Sequence, residues 1–356
     1  MKKRIVLFVP FMTGFGGTET VIKNLFSEYE RMEPQYIELQ LVSIGGYDDA
    51  EWVRKIAKKK VISLSRDENI RVWQYFFLLP VIMLFMLFSE GKNSVIVSTN
   101  PVIWTLAYII KKIFFKKYKV VSWYHYSLSQ KPINALLLHS ADRYLAISSG
   151  IAEQLRKNGI DSKSIRTIFN PVLRNEHIVK RSSLNSSCQF LYVGRIMLDG
   201  QKSLRTIIDS LSGVAGRWNL ILYGKGDIDE VWQYIRMKGL EGRIEFKGFD
   251  KNLWNKLENI DCLLLSSKYE GFPMVLNEAI SVGIPVLSMN CDTGPKDIVN
   301  DENGVLIGNN DVKVFKKHIQ GFIDRLYDFK DVDKIKESIS PFYSDNYFTV
   351  FLNSVM

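Results

Sequence analysis

Residues 264–298 read LLSSKYEGFPMVLNEAISVGIPVLSMNCDTGPKDI. The stretch opens as an apolar strand ending in Ser266 and Ser267, crosses a Gly-Phe-Pro turn at 271–273, and continues with helical spacing. A second strand-like run, 284–289, follows Gly283 and ends in the polar loop CDTGP. Strand, loop, helix and strand make a βαβ unit, in which ligands gather at the carboxyl ends of the strands. Glu270 and Glu278 therefore flank one bend of such a site.

The same alternation extends in both directions. Upstream, 190–193, 218–223, 244–246 and 262–265 read as strands, with helices over 204–211 and 231–238 and a short one at 253–257. Arg195 and Lys202 fall between the strand 190–193 and the helix after it, where two cations can stabilise a diphosphate; surface cations near a loop are the plain alternative. Glu278 can accept hydrogen bonds from ribose hydroxyls and Glu270 from those of a sugar. Amides around Phe272, Met274 and Val275, at the start of the helix, can meet phosphate or sugar oxygens. Helix caps and solvated surface acids would read the same way. Downstream, 305–307 is a strand, 311–327 and 331–339 are helical, and the aromatic tail 342–351 is suited to packing back on the first domain.

The first half repeats the pattern. Strands are predicted at 5–9, 36–43, 61–64, 94–98, 120–123, 144–148 and 165–169, with helices over 18–29, 50–58, 72–88, 102–115, 133–141 and 151–157. The loop PFMTGFGGTE follows the first strand, and Gly14, Gly16 and Gly17 let a ligand approach the backbone and the amides opening the next helix; a structural turn needs the same glycines. It is neither a P-loop nor the dinucleotide fingerprint. His125 follows the strand 120–123, as a donor to developing negative charge or as a packed loop residue. His139 reads as a helix residue. The polar stretch 173–187 reads as a linker or edge loop between two domains.

The 356 residues suit two domains, and 46% hydrophobic with 24% charged residues is a globular composition. Cys188, Cys262 and Cys291 have no metal spacing and an odd number, which points to a reduced, cytoplasmic compartment without structural zinc. The net charge of +9 favours an anionic partner. Lys111, Lys112, Lys116, Lys117 and Lys119 punctuate an apolar segment, a pattern of either an ordinary helix edge or peripheral contact with an anionic membrane. The apolar run 75–88, interrupted by Pro80, is shorter than the roughly 20 residues of a span and reads as a buried or interfacial helix. No nucleic-acid-binding signature is present, so no specific nucleic-acid partner is expected.

In combination, FGGTETV, VGRI with downstream Lys202, and EGFPMVLNE with its Glu-x7-Glu spacing resemble the retaining nucleotide-sugar glycosyltransferases of family GT4. The resemblance covers the whole chain, and GRIMLDGQKS with the CDTGP region resembles the lipopolysaccharide α-1,6-galactosyltransferase subgroup. It implies an α/β chain of GT-B fold: two facing Rossmann-like domains, 1–172 on the acceptor side and 173–335 on the donor side, with 336–356 returning to the first domain as a crossover helix. It also implies catalytic roles for His125, Arg195, Lys202 and Glu270. Donor binding would fall to Gly16, Gly17, Arg195, Lys202, Gly248, Glu270, Gly271, Phe272, Pro273, Met274, Val275 and Glu278. Arg195 and Lys202 go to the diphosphate, Glu270 to the transferred sugar and Glu278 to the ribose, with no metal site and no cofactor.

The activity implied is retaining transfer of a hexose, galactose from UDP-galactose first, to a lipopolysaccharide or related surface-glycan acceptor at the inner face of the cytoplasmic membrane. Another UDP-hexose, used for a capsule or lipid-linked glycan, and a non-catalytic nucleotide-sugar-binding protein are the alternatives. One local departure stands out: the family often presents Lys-Gly after the arginine loop, whereas the order here is Gly200-Gln201-Lys202-Ser203.

Overall fold

In the computed structural model, which describes residues 2–14, 16–308, 311–329 and 331–356, the chain forms two compact units. One comprises Met1–Pro171 with Ser344–Met356, the other Val172–Tyr343. Phe15, which opens the FGGTETV motif, lies outside the described residues.

The first unit runs β1 (Lys3–Val9), α1 (Gly17–Met32), β2 (Ile37–Gly45), α2 (Glu51–Arg54), β3 (Lys59–Ser63), α3 (Glu68–Leu87) and β4 (Ser94–Ser98). It continues through α4 (Pro101–Ile113), β5 (Lys119–Ser122), α5 (Ala135–Leu138), β6 (Arg143–Ala146), α6 (Ser149–Lys157) and β7 (Ile165–Thr167). The strands pair in parallel in the order β3-β2-β1-β4-β5-β6-β7. Parallel sheets are covered on both faces, which is why residues 5–9 and 95–97 are apolar without alternation and all of 5–9 and 94–98 is buried. Asn100 starts α4 by accepting the Val102 and Ile103 amides ahead of Pro101.

The second unit runs β8 (Cys188–Val193), α7 (Leu204–Ser212), β9 (Trp218–Tyr223), α8 (Ile228–Met237), β10 (Ile244–Gly248) and β11 (Cys262–Leu265). Then come α9 (Met274–Ser281), β12 (Val286–Met289), α10 (Pro295–Ile298), β13 (Gly304–Ile307), α11 (Val312–Ile323) and α12 (Val332–Glu337). Its sheet is again parallel, in the order β10-β9-β8-β11-β12-β13. The last helix, α13 (Tyr347–Val355), belongs to the first unit and packs on α1, with the Tyr29 and Phe348 rings 5.3 Å apart. Two parallel α/β units and a returning terminal helix agree with the fold class expected from the sequence.

Three local expectations are corrected and a fourth is sharpened. The helix expected over 50–58 stops at Arg54, because Lys59 joins the sheet and its ammonium takes the carbonyls of Val53 and Ile56, each at 2.9 Å. The helix expected over 133–141 is only Ala135–Leu138, since the Leu137 carbonyl accepts the Trp104 indole N–H at 2.8 Å in place of a next turn. Residues 173–187, expected as a linker or an edge loop, run along the second unit, where Lys180 bridges to Asn259. Val179 is fully buried and donates its amide to Val282 at 2.9 Å, while Lys180 donates to Glu258. Finally, the run 75–88 belongs to a longer helix, α3, whose 20 residues span about 30 Å. Its length and composition suffice to cross a bilayer, yet within it only Leu79, Met83 and Leu87 are buried.

Candidate active site

In the second sheet β8 and β11 are neighbours from which the chain order runs outward in opposite directions, the switch point at which such sheets open a crevice. Two loops leave their carboxyl ends, 194–203 and 266–273. Backbone and side chains tie these loops together. Ser266 Oγ lies 3.0 Å from the Lys202 carbonyl and 2.9 Å from that of Ser203, and the Lys268 amide donates to the Gln201 carbonyl at 2.8 Å. Gln201 Nε2 donates to the Tyr269 carbonyl at 3.0 Å while its Oε1 accepts from Arg195, whose carbonyl accepts the Tyr192 hydroxyl at 2.6 Å.

Within this frame Lys202 Nζ meets Glu270 Oε1 at 2.6 Å, with the two side chains 14% and 9% exposed. The residues expected on diphosphate and on sugar are thus found against one another. The unusual order of the Gly200–Ser203 tetrapeptide has a backbone consequence: Gly200 and Ser203 both adopt positive φ, +86° and +48°, and Ser203 opens α7 from the left-handed region. A hydroxyl side chain there costs more than glycine would.

The CDTGP loop braces the turn that bears Glu270. Thr293 Oγ1 donates to the Glu270 carbonyl. Gly294 has φ +96°, and a Cβ there would sit 2.6 Å from Pro273 Cδ and 3.0 Å from the Gly271 carbonyl oxygen, so only glycine fits. Phe272 is buried with its ring 5.4 Å from that of Phe342, a packing role for its side chain. Pro273 precedes Met274 and Val275 at the start of α9 without a side-chain cap, which leaves first-turn amides for another acceptor. Gly248 ends β10 at φ +74°, its carbonyl receiving the Gly224 amide at 2.8 Å.

Glu278 is half-buried on α9 and has a neighbour that sequence reading missed, the Trp254 side chain, which hydrogen-bonds to it. Burial pushes its carboxyl up to about 7 from the ordinary 4.5, with the Trp254 bond acting in the opposite direction. A carboxyl raised in this way adds stability in full below pH 4.5 and loses it as pH rises through about 7.

The other expected residues lie in the first unit. His125, one residue beyond the end-of-strand Trp123–Tyr124 pair that follows β5, is buried; burial lowers its pKa to about 3, so the ring is neutral at physiological pH. Its Nε2 has no hydrogen-bond partner among the described residues. The ring lies 4.7 Å from Trp123, which in turn lies 5.4 Å from Phe351 of α13, so a terminal helix backs the histidine through one indole. The aromatic tail 342–351 is legible as packing on the first domain, but nothing in the sequence singles out Trp123 as the partner of Phe351. Gly16 caps α1 and Gly17 begins it, but the loop already holds an anion of its own. Glu19 Oε1 accepts the Gly14 amide at 3.0 Å and the Thr13 hydroxyl at 3.3 Å. A Cβ on Gly16 would meet Glu19 Oε2 at 2.4 Å, the far end of a side chain that can turn aside. Among the described residues no group of three or more His, Cys, Asp or Glu side chains is placed to hold a metal ion.

The profile described as Glycosyltransferase Family 4 matches residues 15–174, and that described as Glycosyl transferases group 1 matches 187–325. Lipopolysaccharide 1,6-galactosyltransferase of Salmonella typhimurium is 32% identical over 351 residues, covering 97% of this chain and 96% of its own. The protein of the same name from Escherichia coli is 32% identical over 95% of this chain and 93% of its own. The solved apo form of the lipopolysaccharide outer core galactosyltransferase WaaB superposes with a TM-score of 0.85 at 30% identity, covering 99% of both chains. Anabaena HepE, solved with UDP, shares the fold with a TM-score of 0.76 at 16% identity over 99% of both chains. With near-complete coverage at this identity and two α/β units of the GT-B type, the chain belongs to glycosyltransferase family 4.

Proposed function

We propose that the protein transfers a hexose, galactose from UDP-galactose, to a lipopolysaccharide or related surface-glycan acceptor, with retention at the anomeric carbon. The observation that carries this reading is the convergence of Arg195, Lys202 and Glu270 on two loops at one switch point. Whole-length likeness to lipopolysaccharide 1,6-galactosyltransferases supports the donor and the acceptor class.

In this reading Arg195 and Lys202 take the donor diphosphate and stabilise the negative charge that grows as UDP departs, without a metal ion. Lys202 stays beside Glu270, which binds the sugar hydroxyls. The α9 amides near Gly271, Met274 and Val275 meet phosphate or sugar oxygens, and Glu278 holds the ribose. Gly16, Gly17 and Gly248 are further donor contacts. His125, neutral and with an unpaired nitrogen, offers a hydrogen bond to the transferred group. An unpaired buried polar atom costs roughly 1–3 kcal/mol, which a substrate partner relieves. The acceptor oxygen bonds to the anomeric carbon on the face from which UDP leaves, the bond from that carbon to phosphate oxygen breaks, and the departing phosphate takes the hydroxyl proton. The work is done in the cytoplasm at the inner face of the membrane, in contact with anionic lipid.

Incubation with a panel of UDP-hexoses and lipopolysaccharide-core acceptors tests this directly. The expected product is an α-galactoside formed from UDP-galactose. Use of another UDP-hexose to the exclusion of UDP-galactose overturns the donor, and an inverted product overturns the mechanism.

The ribose assignment predicts a pH effect. Hydroxyl donors favour ionised Glu278, so UDP binding should expel its proton, and the Kd for UDP should rise about fivefold from pH 7 to pH 6 with a site pKa of about 7. Isothermal titration in buffers of different ionisation heat reads both the affinity and the proton. A flat profile that Glu278→Gln leaves unaltered removes Glu278 from the ribose site.

A further inference from the structure

From Tyr75 onward helix α3 is apolar on all sides, but the fold covers only one stripe of it. Leu79, Met83 and Leu87, one turn apart, enter the core with Phe8, Ile44, Ile96 and Trp104, and Tyr75, Ile82 and Met86 flank them. Trp73, Phe77, Val81 and Phe85, each one turn on from the last, line a face turned away from that stripe and are exposed by 65, 62, 66 and 80%, while Phe76, against the Phe77 ring, is exposed by 71% ahead of the part that the core covers. Exposed apolar residues scattered singly need no explanation, but a contiguous aromatic face of this size marks a binding surface.

A second element extends that surface. Phe88, just past α3, has its ring 6.4 Å from Phe114, just past α4. Next to it Phe115 is 89% exposed and held at φ +50°, a backbone region costly for a bulky residue. Lys112 and Lys117 are exposed in the same segment, Lys112 with its ammonium 5.2 Å over the Tyr108 ring, and the Lys116 ammonium lies 4.7 Å over the Phe88 ring and donates to the Phe88 carbonyl. Two of the five lysines in this segment have other work. Lys111 pairs with Asp142 at 2.6 Å, and Lys119 donates to the Met356 carbonyl.

An aromatic face rimmed by lysines matches an anionic lipid surface, where rings enter the headgroup boundary and ammonium groups meet phosphate. We infer that the α3 face and the 113–117 corner form the membrane-docking surface of the first unit, with α3 lying in the plane of the lipid interface. This deepens, and rests on, the proposed work at a lipid-anchored acceptor. Length alone would let α3 span the bilayer. Crossing it, however, would strip Leu79, Met83 and Leu87 from the sheet and carry Arg71 and Glu68, in the polar first turns, into or across the hydrocarbon.

Co-sedimentation of the full chain with phosphatidylcholine vesicles, with and without phosphatidylglycerol, tests this without any substrate. A failure of the enzyme reading therefore leaves the result intact. Binding is expected to the anionic vesicles and to drop at least tenfold in F76E/F85E, whose thermal melt stays at wild-type level. K112E/K117E should erase the preference for anionic over neutral vesicles. The fluorescence lost in W73F should be quenched by shallow and not deep lipid-borne quenchers. Absence of vesicle binding, quenching of Trp73 at the bilayer centre, or a self-association that F76E/F85E abolishes in place of lipid binding would each overturn the inference.

Discussion

Replacing Lys202 by methionine is expected to lower transfer about 100- to 1,000-fold, the usual loss on removing one charge-stabilising donor at a reacting centre. The same change leaves Glu270, its side chain 9% exposed, without its 2.6 Å partner. Breaking a buried pair from one side costs about 3–5 kcal/mol, so urea denaturation should show the variant markedly destabilised. The two losses can be separated. K202M/E270Q replaces both charges by neutral groups of similar shape and should regain most of the stability while remaining inactive. Turnover within a few-fold of wild type in the double variant would make the pair a purely structural bridge, and the diphosphate role would pass to Arg195 alone.

A second large effect is expected far along the sequence. Phe351→Ala removes a fully buried ring that backs Trp123, which in turn backs His125. Truncating a core phenylalanine costs about 3–5 kcal/mol, and the cavity gives the indole room to turn. On the proposed role of His125, kcat should fall at least tenfold with the donor KM unchanged, and Phe351→Leu should restore most of both stability and kcat. A variant that is destabilised yet keeps its kcat would show that α13 supports the fold without positioning the histidine.

What the sequence discloses and what it hides follow from how local each signal is. Strands buried on both faces need apolar runs, so 94–98 and 262–265 are read from composition alone and match β4 and β11 residue for residue, as 218–223, with alternate residues only partly buried, matches β9. The loops bearing Arg195, Lys202 and Glu270 could be placed because a parallel sheet sends the exits of its strands to one edge. Their mutual contact could not. It depends on Gln201 spanning from Arg195 to the Tyr269 carbonyl, and no periodicity encodes that bridge. Trp254 reaches Glu278 from a short 3-10 turn, and Phe351 reaches Trp123 across most of the chain. The exposure of α3 was hidden for a different reason: a helix apolar on every side does not reveal which stripe the sheet will cover.

The return of α13 to the first unit bears on how the chain is made. The first unit draws on both ends of the chain, Met1–Pro171 and Ser344–Met356, while the second is one continuous segment. During synthesis the second unit has all of its residues before the first can be finished, although the first begins to emerge earlier. Until Tyr347–Val355 is translated, Trp123 and the inner face of α1 lack the aromatic residues that cover them. A nascent chain arrested before residue 344 should therefore present a protease-resistant second unit joined to a protease-sensitive first one.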